Sequence, residues 1–286
     1  MLAFCATATL ADALAKLLGG QVPLFLLITL RFGFQALILL PILWAGGGSL
    51  RMRPRAVALN ALRTVLQVFG IAAMYTALRF LPLANAIAIA YVEPFLLLLL
   101  SHFVLREEVG PRRLLACLVG FAGTLLVIKP SFLQAGAAAF LPLAVAVIFA
   151  LYMMLTRQIS READALSLQA SSGVMASVVL IPLALVAPFG LPALGPALAA
   201  PQPWALLVGL GVTGTFAHLF MTWSLRHAPA ATVAPVQYME IPFATLTGYL
   251  VFADFPDALA LAGIALTVAA GVYIVWRERM ALAQPA

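Results

Sequence analysis

Runs of about 20 uninterrupted apolar residues follow one another along this 286-residue chain almost without pause, and that succession limits what it can fold into. A run of that length spans the roughly 30 Å hydrocarbon core of a bilayer as an α-helix. Ten spans are expected, at about 1–18, 23–45, 56–79, 82–105, 112–129, 138–156, 166–188, 203–226, 230–253 and 256–276. The runs are continuous, as from Ala86 to Leu100, whereas lipid-facing strands must alternate apolar and polar residues, so a barrel is excluded. With 64% hydrophobic and only 9% charged residues, the chain lacks the polar groups a water-facing surface needs. The connections are too short for an aqueous domain. The expectation is an all-α membrane protein of ten transmembrane helices.

The net charge of +6 reads as topology rather than as a nucleic-acid footprint, because the basic residues sit between spans instead of on one solvated face. If the N-terminus is cytoplasmic, twelve of the sixteen basic residues fall inside: Arg51, Arg53, Arg55, Arg63, Arg106, Arg112, Arg113, Arg157, Arg161, Arg226, Arg277 and Arg279. Lys16, Arg31, Arg79 and Lys129 are left outside or buried. That bias obeys the positive-inside rule and makes both termini cytoplasmic. The first run lacks a basic leader and carries Asp12 and Lys16, so it reads as a span rather than a signal peptide. Because its apolar stretch begins at Met1, a start further upstream is open. Cys5 and Cys117 lie within spans without metal-type spacing and read as small hydrophobes.

The two halves repeat. An offset of 147 pairs Leu78-Arg79 with Leu225-Arg226, Pro82 with Pro229, Ala84 with Ala231, Tyr91 with Tyr238, Glu93 with Glu240, and Glu107 with the acidic Asp254. Nearer the start the offset is 141, pairing Leu10 with Leu151, Leu14 with Leu155, Lys16 with Arg157 and Pro41 with Pro182. The six-residue difference falls naturally in the Pro- and Gly-rich external stretch after the seventh span, Pro188 to Pro203. Each copy holds five helices, residues 1–130 and 138–277, followed by a cytoplasmic tail at 278–286. An odd number of spans inverts the second copy relative to the first.

The Leu-Pro-Leu-Ala opening of the fourth span, matched by Ala-Pro-Ala-Ala at 228–231, the mid-span Glu-Pro, the acidic loop after it and the Gly-containing fifth span resemble the EamA-type drug/metabolite transporter superfamily over essentially the whole chain. The resemblance implies two inverted five-helix EamA repeats around a central cavity lined mainly by spans 1, 3, 4, 6, 8 and 9, with spans 5 and 10 peripheral. Leu78 to Glu108, Val109-Gly110-Pro111-Arg112-Arg113 and Thr156-Arg157-Gln158-Ile159 are most similar to bacterial riboflavin importers, while amino-acid exporters and S-adenosylmethionine carriers share the scaffold.

Glu93 and Glu240 lie 11 and 10 residues into their spans, roughly 15 Å deep at 1.5 Å per residue. An ionisable group at that depth costs about 2.5–3.5 kcal/mol by insertion scales and usually faces a cavity or a partner. Each carboxyl is open to two readings, a coupling or substrate-binding group, or a neutral group satisfying a carbonyl freed by the adjacent Pro94. Pro235 and Pro242 bracket Glu240 and should break the ninth span there, or only kink it. Asp12 and Arg31 share a depth and could pair, for structure or for substrate. His218 is either a ligand donor or a hydrogen-bonded histidine between helices. Gln35, Asn60, Gln67, Asn85 and Gln237, with Phe69, Tyr75, Tyr91, Tyr152, Trp223 and Tyr238, supply polar and aromatic groups that suit a flat heterocycle or ordinary packing. Gly120, Gly123, Gly209, Gly211 and Gly214 read as helix-contact positions.

No His-Glu-x-x-His, Gly-x-Ser-x-Gly, Cys/His cluster or phosphate-binding loop occurs, which argues against an intramembrane enzyme or a nucleotide-driven pump. No cofactor and no metal site is expected. The function expected is a bacterial inner-membrane secondary transporter of a small organic metabolite, first riboflavin uptake, second amino-acid or S-adenosylmethionine-type export or exchange, with a membrane scaffold or lipid scramblase as the remote alternative. Substrate, membrane lipid and a second copy of the chain are the partners allowed, and nucleic acid is not one of them.

Overall fold

In the computed structural model, which describes residues 1–160, 162–187, 201–254 and 257–283, every regular element is helical and no strand occurs among the described residues. The side chains of 127–135, 201–202, 260, 274–275 and 278–283 are not described. The helices are α1 (Leu2–Leu18), α2 (Leu24–Ala45), α3 (Pro54–Ala77), α4 (Leu83–Ala90), α5 (Glu93–Phe103) and α6 (Pro111–Ala135). They continue as α7 (Phe140–Ile159), α8 (Ala165–Val186), α9 (Pro201–His227), α10 (Ala230–Val236), α11 (Glu240–Phe252) and α12 (Ala258–Ala283). Six helical stretches, 24–45, 54–77, 83–103, 136–159, 165–186 and 203–227, are by themselves long and apolar enough to cross a membrane. At 17 residues α1 is one turn shorter than most of them.

Helix starts follow local chemistry. Pro54 and Pro111 occupy the first turns of α3 and α6, where an N–H has no intrahelical partner to lose. Asp164 caps α8, its carboxylate accepting from the Leu166 and Ser167 amides at 3.1 and 3.2 Å. The expected fourth and ninth spans are not continuous: each is two short helices, α4 with α5 and α10 with α11. Helix α6 runs beyond the expected 129 to Ala135, and α12 continues to Ala283 through most of the stretch expected as a tail. Residues 188–200 of the Pro/Gly stretch and Arg161 lie outside the described residues, as do the side chains of Lys129 and Arg279, and the last three residues of that stretch begin α9.

The packing is reciprocal between the two parts of the chain. Helix α1 lies on α9 and α3 on α7, α2 packs on α8, α6 on α12, α4 on α11, and α5 on α10. Close approach needs small residues: a Cβ on Gly123 of α6 would come within 2.7 Å of the Gly263 carbonyl of α12. Two ion pairs tie the parts together at their loops, Lys16 to Asp254 at 3.5 Å and Arg157 to Glu107 at 2.8 Å. Large apolar side chains such as Phe69, Trp223, Leu250 and Val186 stay exposed on the outside, as a lipid-facing surface requires.

Candidate functional site

Both helix breaks face the same interior space. Pro94 falls in the first turn of α5, so the chain ends α4 at Ala90, turns through Tyr91 and Val92, and restarts at Glu93, rather than kinking one helix. On the opposite side Pro235 closes α10, a tight turn covers Gln237–Met239, and Pro242 lies in the first turn of α11 behind Glu240. The expected break at Glu240 is therefore present, and its counterpart at Glu93 is a break too.

Tyr91, Glu93, Gln237 and Glu240 line a cavity between the two breaks. Asp12 of α1, Arg31 of α2 and Tyr75 of α3 line it with them, as do His218 of α9 and the rings of Phe4 and Phe149. About 80 Å³ of it is open to the centre of a water molecule, several times the about 10–15 Å³ that one water needs. Its wall is drawn from the spans implied by the resemblance, with Arg31 of the second span added.

Within the cavity the Tyr91 hydroxyl donates to the Glu240 carboxylate. Glu93 and Gln237 are both buried and near enough to interact, but Glu93 Oε1 and Gln237 Nε2 make no well-formed hydrogen bond. Asp12 and Arg31 face the same space and feel each other's charge, but no direct ion pair joins them. Arg31 donates instead through Nη2 to the Gly214 carbonyl at 3.0 Å and through Nη1 to Gln35 Oε1 at 3.3 Å. Gly214 admits that approach, since a Cβ there would lie 2.9 Å from Arg31 Nε. His218 Nδ1 stands 3.2 Å from the Tyr152 hydroxyl, and its ring packs on Phe149 with centroids 5.8 Å apart. A cavity with one guanidinium, three carboxyl groups and aromatic walls can hold a solute carrying both charges and a flat ring.

Three of the candidate residues lie elsewhere. Tyr238 donates to the Cys117 carbonyl at 3.3 Å and packs where a Cβ on Gly120 would fall 2.4 Å from its ring. Asn85 is half-buried in the first turn of α4. Gln67 is fully buried, and neither atom of its amide has a partner. Phe69 and Trp223, expected as inner aromatic faces, are 63% and 58% exposed, because lipid accepts an aromatic ring as readily as the interior does.

Arg63, counted with the cytoplasmic loop arginines, is instead fully buried in α3. The signal was its depth, nine residues beyond Pro54, whereas Arg51, Arg53 and Arg55 flank that proline. It donates to Thr156, Asn60, Ser172, Tyr152 and Thr222. Gln169 extends the network, donating to Thr222 Oγ1 at 2.6 Å, and accepts in turn from Gln35, the partner of Arg31.

Long apolar helices closed around an interior of charged and aromatic groups define a multi-pass membrane protein that can hold a polar solute at bilayer depth. The chain belongs to the EamA-like transporter family, whose model matches residues 1–129 and 136–277. It is 24% identical to an S-adenosylmethionine uptake transporter of Rickettsia prowazekii, over 96% of this chain and 91% of that one. It is 30% identical to a riboflavin transporter of Rhizobium johnstonii, over 90% and 82%, and 28% identical to a pseudopaline exporter of Pseudomonas aeruginosa, over 92% and 90%. A protein of known crystal structure shares the fold with a TM-score of 0.75 at 21% identity, over 99% of this chain and 98% of that one.

Proposed function

We propose that this transporter works in the bacterial inner membrane, with both termini cytoplasmic, as ten spans in two inverted five-helix halves that rock about the central cavity in alternating access. On this reading α4 with α5, and α10 with α11, are each one broken span. The inverted halves are supported by the offset pairs of the sequence and by the reciprocal packing of α1 on α9 and α3 on α7. Two further pairings support them: Lys16 and Arg157, matched by the 141-residue offset, bind Asp254 and Glu107, matched by the 147-residue offset.

The solute is a zwitterionic metabolite bearing an aromatic ring, of the S-adenosylmethionine kind. The observation that carries this reading is the pair Asp12 and Arg31, opposite charges that face one cavity without closing on each other. An amino-acid head group satisfies both, its ammonium on Asp12 and its carboxylate on Arg31, while Phe4, Tyr75 and Phe149 offer faces for the ring. Glu240, held by Tyr91, is the coupling carboxyl, and Glu93 with Gln237 offers unused polar groups to the solute.

Riboflavin uptake is the second reading, favoured by relatives with that name and by the aromatic wall. Expression in a riboflavin-auxotrophic bacterium lacking its own importer, beside uptake of methyl-labelled S-adenosylmethionine into proteoliposomes, separates the two. The zwitterion reading expects labelled uptake that Arg31→Gln and Asp12→Asn each lower at least about tenfold, as loss of a charged hydrogen-bond partner should. It also expects Glu240→Gln to remove any response to an imposed proton gradient. Growth rescue on low riboflavin without uptake of the label sinks it.

A further inference from the structure

Arg63 has an electrostatic position unlike any other described arginine in the protein. Its Nε donates to Thr156 Oγ1 at 2.7 Å, its Nη1 to Asn60 Oδ1 at 3.1 Å and Ser172 Oγ at 2.8 Å, and its Nη2 to the Tyr152 hydroxyl at 2.8 Å and Thr222 Oγ1 at 3.1 Å. Every N–H of the guanidinium is used, and every acceptor is neutral. Among the described residues no carboxylate pairs with it, whereas the other buried arginines have an acidic neighbour, Arg157 the Glu107 it binds and Arg31 the Asp12 that faces the same cavity. The site is stable enough to fold but keeps an uncompensated positive charge inside the membrane. A carboxylate in place of one of these hydroxyls would add the counter-charge that the site lacks and can engage the guanidinium fork with both oxygens.

The guanidinium is one side chain away from the cavity. Tyr152 separates them: its hydroxyl accepts from Arg63 and stands 3.2 Å from Nδ1 of the cavity-lining His218. Gln67 lies one helical turn from Arg63 along α3, on the way to Gly70 of the cavity wall, buried and with neither amide atom partnered. A buried amide without a partner, one turn from a buried guanidinium without a counter-charge, is unexplained by packing alone.

We propose that Arg63 and Gln67 form a second anion subsite, which receives the solute's carboxylate from Arg31 when the halves open toward the end of the molecule where α3 begins and the Tyr152 ring turns aside. This subsite rests on the zwitterionic reading of the central cavity. Arg63 then holds the solute by its acidic group in one state and is held by hydroxyls in the other, so the charge is never buried without acceptors. Arg31 and Arg63 serve the same group at successive positions along the path.

The test uses the full-length protein in proteoliposomes and measures how S-adenosylmethionine and its decarboxylated counterpart inhibit uptake of labelled S-adenosylmethionine. The two probes differ only in the carboxylate, so the ratio of their inhibition constants reports its binding. Arg63→Gln is expected to shrink that ratio at least about fivefold, and Arg63→Lys, which keeps the charge but not the fork, to retain part of it. Tyr152→Phe keeps the ring, removes the hydroxyl that occupies Arg63, and is expected to enlarge the ratio; it decides the matter if Arg63→Gln does not fold. Equal changes for both probes, or an unchanged ratio in Arg63→Lys and Tyr152→Phe, overturn the subsite and leave the central cavity standing. No uptake of the zwitterion by the unaltered protein overturns both.

Discussion

The ion pairs Arg157–Glu107 and Lys16–Asp254 are built on the same plan and finished differently. In each, a cation in the last turn of a helix, α7 or α1, reaches an acid just past the end of another, α5 or α11. The turns that present the acids also match. Arg106 and Ala253 both adopt φ of 55°, and the next residue's amide returns to the helix, Glu107 N to the Ser101 carbonyl and Asp254 N to the Gly248 carbonyl. The acids and the turn residues are related by the 147-residue offset and the two cations by the offset of 141. Yet the Arg157 and Glu107 side chains are only 10% and 8% exposed and 2.8 Å apart, while Lys16 and Asp254 are 20% and 44% exposed and 3.5 Å apart. The same fastening is buried at one end of the molecule and open to solvent at the other. On the alternating-access reading proposed above, that inequality is expected of a state drawn together at the Arg157 end, where the Arg63 network also lies, and looser at the Lys16 end.

The sharpest way to break the comparison is to remove one acid at a time. Glu107→Gln leaves Arg157 with the Leu225 carbonyl at 2.7 Å but without a counter-charge in a buried site. It also weakens the acceptor for the Ala231 amide at the start of α10. Loss of one partner of a buried pair is expected to cost about 3 kcal/mol, read as a shift in denaturant-induced unfolding in detergent micelles. A loss under about 1 kcal/mol would mean that the two ends are equivalent and that the difference in burial carries no energy.

The plan of both ends was legible in the sequence, but the difference between them was not. Matching Lys16 with Arg157 at an offset of 141 and Glu107 with Asp254 at 147 requires only scarce charges, and the second offset makes Glu93 and Glu240 mates as well. Pro235 and Pro242 point to a helix break or a kink, while Pro94 by itself points only to a freed carbonyl, since a single proline does not fix whether the helix stops or bends. The inward and outward faces were harder, because lipid is as apolar as a helix interface and the usual amphipathic contrast is missing. Phe69 and Trp223, candidates for aromatic faces, therefore lie outside the cavity, while Phe4 and Phe149, which do line it, carry no mark in the sequence that sets them apart from other span residues. Arg63 was hidden by the positive-inside rule itself, which counts basic residues near a span end without asking how far in they lie.

A smaller effect tests whether the two turns share their backbone even though their ion pairs differ. A left-handed conformation is disfavoured for arginine and alanine and free for glycine, so Arg106→Gly and Ala253→Gly are each expected to stabilise by about 0.5–1 kcal/mol. Equal gains in the same unfolding measurement would place the asymmetry in the side chains. A gain at only one would show that the turns themselves diverge.

The smallest effect belongs to the looser pair. Asp254→Asn removes a partner that is 44% exposed, and Lys16 retains its position 4.5 Å from the Phe252 ring centroid. Exposed pairs are worth about 0.2–1 kcal/mol and fade as salt rises, because ions screen charges over about 10 Å at 0.1 M. The expected stability loss is therefore no more than a few tenths of a kcal/mol at physiological salt, and smaller still at 1 M, where the Glu107→Gln loss persists. Transport offers the finer reading. A fastening that must close when the solute leaves at the opposite end affects the conformational step, so Asp254→Asn should change the maximal uptake rate more than it changes stability. A stability loss as large as that of Glu107→Gln, insensitive to salt, would mean that the Lys16 end is as tightly closed as its counterpart, and the reading of a one-sided state would fall.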